Sequence, residues 1–345
     1  MKALVLVETG KLEIQDYYSN HILGPDDVEI KINTVGICGS DVHYFTHGRI
    51  GPFVVNSPMV LGHEASGTVI AKGENVNHLN IGDRVCMEPG IPNMNSSQTM
   101  AGIYNLDPEV RFWATPPIDG CLRDSVIHPA AFTFKLPDNV SFEEGALVEP
   151  LAIGMQSATK ANIKPGDIGL VFGAGPIGII TALCALAGGC SDVIICDIFD
   201  EKLNVANKYP GLHPINSNNS EELKRKVEEL TSKEGVNVLF ECSGAAAVIK
   251  KVTQHVAPGG TIVLVGMPID PVPVDIVSAQ AKEITFKTIF RYANMYPRTI
   301  RLLAAKKLNV GPLISARYKF KDSIEAFERA AKGLGSDVKI ILEME

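Results

Sequence analysis

The chain has no C-x-x-C pair, and its seven cysteines, Cys38, Cys86, Cys121, Cys184, Cys190, Cys196 and Cys242, are odd in number and irregularly spaced. That pattern excludes a disulfide framework of the secreted type and a dithiol redox motif, so the thiols are expected to be reduced. Basic residues are not in excess either: 32 Lys and Arg stand against 39 Asp and Glu, for a formal charge of -7. Nothing here offers a basic stripe to nucleic acid or a polybasic patch to a membrane. No apolar run is long enough to span a bilayer, and the opening stretch MKALVLVETG has only a short apolar run, broken by Glu8, unlike a secretory leader. Internal repeats and low-complexity segments are lacking as well. These absences leave a cytoplasmic protein with a small-molecule partner as the expectation.

What is present suits two domains: 345 residues, 46% of them hydrophobic, exceed one ordinary core. Residues 1–150 carry short alternating or β-branched segments (KALVLV, DVEIKINTV, ASGTVIAKG, DRVCM, FTFKLP) between Gly, Pro and Asn turns, the texture of a mostly β domain. From 151 the texture changes. The helical stretch LAIGMQSATKANI leads to IGLVFG, IGIITALCALAGG and DVIICD, and VNVLFE and GTIVLVG follow with the helix-like AAAVIKKVTQHV between them. Strands alternating with helices predict an α/β domain with a doubly wound parallel sheet over 151–286. Residues 287–345, with the amphipathic KDSIEAFERAAKG and a last strand VKIILEM, are expected to complete the first domain.

Gly173-Ala-Gly175-Pro-Ile177-Gly178 lies between a strand candidate and a helix candidate, the context that gives a glycine pattern its meaning. The first glycine permits a tight turn, the second lets a pyrophosphate approach the backbone, and the third packs helix on strand. Asp197, at the end of DVIICD, stands where a carboxylate accepts hydrogen bonds from ribose hydroxyls and repels a 2'-phosphate, so NAD is expected rather than NADP.

Cys38 and the adjacent pair His63-Glu64 assemble a soft, a borderline and a hard donor. Three such ligands hold one zinc ion and leave a coordination position open for chemistry, whereas structural sites are closed by Cys and His. The segment also spells G-H-E-x2-G-x5-G-x2-V on Gly62, His63, Glu64, Gly67, Gly73 and Val76. With this motif the chain resembles the zinc-containing medium-chain dehydrogenases, and within them the sorbitol (polyol) dehydrogenase family. The likeness runs nearly end to end through GICGSDVHY, PMVLGHEASGTV, ATPPIDG, KLPDNVSFEEGALVEPL, GAGPIG and FRYANMYP.

The resemblance implies a GroES-like catalytic domain beside a Rossmann domain, and a homo-oligomer, since similar enzymes are tetramers or dimers, with a homotetramer as the expectation. It implies one catalytic zinc held by Cys38, His63, Glu64 and a water, with Glu149 of ALVEPL managing that water or the substrate. Ser40 and His43 fall where related enzymes pass a proton from substrate to solvent, and an imidazole suits the last exchange. Tyr44, Phe112, Thr115, Arg291 and Tyr292 fall at substrate-contacting positions, whose hydroxyls and guanidinium suit a polyol. Ile177, Lys202, Val265, Gly266, Met267, Ile289, Phe290 and Arg291 fall at cofactor-contacting positions. The expected reaction is hydride transfer from a secondary hydroxyl of sorbitol, xylitol or a similar polyol to NAD.

Where many relatives carry a second zinc in a C-x2-C-x2-C-x7-C lobe, this chain has Asn93, Ser96, Thr99 and Asp107. Without thiolate or imidazole no tetrahedral structural site is expected there. Alternatives in the same enzyme class are dehydrogenases of L-threonine, butanediol, L-arabinitol or galactitol. From another class, a non-catalytic NAD-binding structural protein is the alternative, since fold does not imply function.

Overall fold

A computed structural model describes residues 1–18 and 22–344, and His21, a histidine whose sequence neighbours offer no ligand spacing and which is expected to be structural, lies outside them. The chain divides into two compact units, one of Met1–Glu149 with Tyr296–Glu345 and one of Pro150–Met295.

In the first unit the strand Asp27–Ile37 alternates polar and apolar residues, which sends Val28, Ile30 and Ile32 into the core. It lies inside a seven-stranded sheet whose path runs Thr133–Lys135, Arg84–Met87, Glu64–Lys72, Asp27–Ile37, Lys339–Glu343 and Ile314–Lys319, with Ser125–Pro129 also pairing to Asp27–Ile37. Antiparallel pairing sets Gly36 opposite Glu64 on one side and Ile37 opposite Ile340 on the other. The last strand of the chain thereby joins a strand that ended some three hundred residues earlier. A three-stranded sheet of Lys11–Asp16, Lys2–Glu8 and Met59–Val60 packs its apolar residues into the same core.

The second unit holds six parallel strands in the order Leu212–Asn216, Asp192–Asp197, Ile168–Phe172, Val236–Glu241, Val256–Leu264 and Thr285–Thr288. Ile168–Phe172 and Asp192–Asp197 are nearly continuous apolar runs, as strands covered on both faces require. The sheet order reverses about Ile168–Phe172, so the crevice outside its carboxyl end is the position at which a doubly wound sheet takes a ligand.

Two sequence expectations change. The second unit continues to Met295 rather than stopping at 286, because Thr285–Thr288 pairs in parallel with Val256–Leu264 as the last strand of its sheet. The helix expected over AAAVIKKVTQHV is confined to Ala246–Ile249, followed by turns that lead into the strand starting at Val256. Among the described residues no helix is long and apolar enough to cross a membrane.

Candidate active site

The first unit brings Cys38, His63 and Glu64 together, with a donor atom from each lying within 4.8 Å of the other two. Among the described residues they are the one group of three or more such donors close enough to share an ion. Cys38 follows the strand Asp27–Ile37 and is the N-cap of the helix Gly39–His47, whereas Glu64 begins the strand Glu64–Lys72. Gly62 precedes the pair with φ of +89°, a turn that L side chains rarely adopt, and a Cβ on Gly67 would stand 2.4 Å from the Lys31 carbonyl oxygen. The signature glycines are therefore conditions of the strand geometry that presents His63 and Glu64.

Two further residues hold the donors in place, and sequence reading overlooked both. Asp41 is buried; its carboxylate accepts from the Cys38 N–H at 3.2 Å and the Gly62 N–H at 3.0 Å, and one oxygen stands 3.5 Å from His63 Nδ1. It joins the two ligand-bearing segments. Its signal was legible, since an acid three residues after the N-cap is the second half of a capping box. Lys339, only 4% exposed, sets its ammonium 2.7 Å from both oxygens of Glu64, and it also donates to the Ile37 carbonyl at 3.1 Å. A lysine opening an apolar terminal strand gave no sign of this.

The electrostatics fit a cation. Burial disfavours a charged His63, but the negative charges of Asp41 and Cys38 outweigh it and hold the imidazole well above its ordinary value. A field that favours a proton there also favours a metal ion, and with Asp41 facing His63 Nδ1 the other ring nitrogen is left as the donor. Burial likewise opposes the Lys339 charge, yet Glu64 and Cys38 raise its pKa, so the ammonium stays protonated. The donor set of sulfur, nitrogen and one carboxylate fits zinc with room for a further ligand.

Glu149 is buried in the first turn of the helix Val148–Ala161, close enough for its charge to act on both Lys339 and Glu88. Phe112 packs a tilted ring 5.7 Å from that of His63. Tyr44 is buried in the helix Gly39–His47, and Thr115 is half-buried. Ser40 is half-buried on the same helix, and His43, three residues on and exposed, stacks on His47 at 4.5 Å.

Hydrogen bonds join the lobe positions. Asn93 N–H donates to Asp107 at 2.5 Å, and Ser96 donates to Thr99 at 2.9 Å.

In the second unit the three glycines differ as their roles require. Gly173 has φ of +97°, a Cβ on Gly178 would stand 1.7 Å from the Gly173 carbonyl oxygen, and a Cβ on Gly175 would meet nothing within 4 Å. Gly175 is the N-cap of the helix Pro176–Gly188, so open space lies where the N-terminus of a 13-residue helix attracts phosphate. Ile177 follows Pro176 in the first turn of this helix. Asp197 accepts from the Ala174 N–H at 2.8 Å and the Phe199 N–H at 3.1 Å, with the Lys202 ammonium 3.9 Å away. It thus fixes the glycine turn and keeps lone pairs for a ligand.

Val265 and Gly266 both donate to the Glu241 carbonyl at 2.8 Å, and a Cβ on Gly266 would strike the backbone of Gly244; Met267 beside them is exposed. Glu241, buried and missed in the sequence, accepts from the Gly244 N–H at 3.1 Å and from Ser243, and so fixes the loop facing Gly173. Ile289 donates its N–H to the Leu264 carbonyl, Phe290 is exposed with the Arg291 guanidinium 5.0 Å from its ring, and Tyr292 is buried. Arg291 and Tyr292 belong to the second unit, whereas Tyr44, Phe112, Thr115 and Glu149 belong to the first.

Comparison with known proteins gives two matching families: residues 24–138 match the alcohol dehydrogenase GroES-like domain, and residues 176–305 match the zinc-binding dehydrogenase family. The chain is 76% identical to a D-xylulose reductase of Morganella morganii, over 96% of this chain and 98% of that one. It is 44% identical to the sorbitol dehydrogenase of Mus musculus, over 98% and 95% of the two chains. A solved Escherichia coli oxidoreductase of unknown specificity superposes with a TM-score of 0.93 at 34% identity, over 100% and 99%.

Proposed function

We propose that this chain, which belongs to the zinc-dependent medium-chain polyol dehydrogenases, transfers hydride from a secondary hydroxyl of xylitol or sorbitol to NAD, and reduces the corresponding ketose in reverse. The observation that carries the reading is the convergence of the Cys38, His63 and Glu64 donors within 4.8 Å. The 76% identity to a D-xylulose reductase favours xylitol and D-xylulose as the pair.

Zinc, when bound, supplies a Lewis acid that lowers the pKa of an alcohol hydroxyl. Cys38, His63 and Glu64 would hold the ion, with Asp41 orienting His63 from 3.5 Å through Nδ1. Glu149 would accept a hydrogen bond from a water or substrate hydroxyl bound beside these donors. The substrate proton would be relayed through the Ser40 hydroxyl, which gives up its own proton as it accepts one, and onward to His43, which is exposed and exchanges it with solvent. Tyr44, Thr115, Arg291 and Tyr292 hydrogen-bond the polyol chain, and Phe112 packs against it.

Gly173, Gly175, Ile177 and Gly178 cradle the pyrophosphate. Asp197 takes the ribose hydroxyls with Lys202 beside it, and its charge selects NAD over NADP. Val265, Gly266, Met267, Ile289, Phe290 and Arg291 complete the cofactor site. One zinc per chain, a homotetrameric assembly and a cytoplasmic location complete the reading.

The test is a panel of polyols with NAD and NADP, run on zinc-loaded protein and on the Cys38→Ser variant. The expected outcome is zinc-dependent NADH formation with xylitol or sorbitol, abolished by the substitution. Polyol-independent behaviour, or full activity and full zinc content in Cys38→Ser, would sink the reading.

A further inference from the structure

Lys339 is the least expected group beside the donors. Its ammonium touches both oxygens of Glu64 at 2.7 Å and the carbonyl of Ile37, the residue before Cys38, at 3.1 Å; the side chains of Lys339 and Glu64 are 4% and 1% exposed. An ion pair sealed from water to this degree is held firmly, because removing one partner leaves the other charge buried and uncompensated. Glu64 is also the donor that a metal ion must engage. A carboxylate has about four lone-pair positions, so Glu64 can serve both cations only if each accepts a share of it.

We infer that Lys339 is a positioning residue that acts as the resident counter-ion of Glu64, keeping the metal-free site folded and limiting how tightly the site holds zinc. The inference rests on the proposed ligand set of Cys38, His63 and Glu64. With thiolate, carboxylate and neutral imidazole, the donors carry two negative charges, and Lys339 reduces the total to one. Removal of the ammonium raises the charge facing the ion and frees Glu64 from competition, so zinc binds more tightly. The same removal leaves Glu64 unpaired only when zinc is absent, so the metal-free protein suffers more than the loaded one.

The experiment compares wild type, Lys339→Met and Lys339→Arg, each loaded with zinc. Zinc transfer to a chromogenic chelator is timed, and the melting temperature is measured with zinc and after its removal. Lys339→Met is expected to release zinc about tenfold more slowly than wild type, with a larger gap between its loaded and metal-free melting temperatures. Lys339→Arg keeps the charge and is expected to stay close to wild type in both.

Equal or faster zinc release from Lys339→Met, an unchanged melting gap, or failure of that variant to fold even with excess zinc would overturn the inference. So would Lys339→Arg behaving like Lys339→Met. Loss of the ligand set itself has a separate signature: Cys38→Ser would then retain zinc, whatever Lys339 does.

Discussion

At the scale of the residue, the site depends on side chains that are absent as much as on those present. Gly36 faces Glu64 across the sheet, and a Cβ built on it would stand 2.2 Å from a Glu64 carboxylate oxygen. Its backbone is ordinary, so the glycine serves space and not conformation. Gly36→Ala is therefore expected to push the Glu64 carboxylate off its position and to lower the zinc content of purified protein at least severalfold, while the sheet persists. Elemental analysis together with far-UV circular dichroism checks this, and full zinc content would refute it. Cys38, His63 and Glu64 stand out in the sequence as candidate donors because of their residue types and the motif around His63 and Glu64. Gly36 was not, because its meaning comes only from the residue paired opposite.

At the scale of the element, short-range signals were read well where they close within a few residues. Gly173, Gly175 and Gly178 occupy a strand, turn and helix that lie consecutively in the chain, and each shows the geometry expected of its place. The lobe from Asn93 to Glu109 is a different case. Asp107 is buried and accepts from the Asn93 N–H and the Glu109 N–H, and Asn93 in turn donates to the Glu109 carboxylate. Hydrogen bonds to the Asp107 carboxylate thus close the loop. Asp107→Ala is expected to loosen the lobe, with cleavage by a protease between residues 93 and 109 accelerating about tenfold and zinc per chain remaining at one. Unchanged cleavage would show that the lobe is held by other contacts. The short helix Ala246–Ile249 shows the opposite limit: apolar residues at helical spacing were outweighed by the turns leading into the next strand.

At the scale of the whole molecule, buried titratable groups shape the response to pH. Glu88 is 2% exposed, accepts from the Tyr104 hydroxyl at 2.7 Å, and has its second oxygen without a hydrogen-bond partner among the described residues. Burial, reinforced by the charge of Glu149, pushes its carboxyl up to about 8. The folded state therefore binds a proton that the unfolded chain gives up near the ordinary value of 4.5. Stability falls as pH rises from about 4.5 through about 8, with a cost of roughly 3–5 kcal/mol at the alkaline end.

Glu88→Gln keeps the acceptor for Tyr104 and removes the ionisation. Its stability relative to wild type, measured by urea denaturation, is expected to improve steadily from pH 5 to pH 8 (values on the order of the ordinary and shifted carboxyl ranges); a constant difference would refute the assignment. His128, buried and packed on Trp113, acts in the other direction. Burial lowers its pKa to about 4 from 6.5, so its contribution is present above 6.5 and is lost as pH falls toward 4.

The sequence by itself supplied the residues on which the proposed chemistry rests: a thiol, an imidazole and a carboxylate as candidates for one ion, a glycine turn as a candidate for a pyrophosphate, and an acid as a candidate for a ribose. Each of these is written in residue types and in local motifs, and a local motif survives without knowledge of the fold. Only the tertiary structure decided what surrounds the donors. Lys339 reaches Glu64 because the last strand of the chain pairs beside Asp27–Ile37, and Gly36 faces Glu64 because a sheet register sets it there. Contacts of that kind join residues far apart in the chain, and pairing between strands has no local signature that one sequence can display.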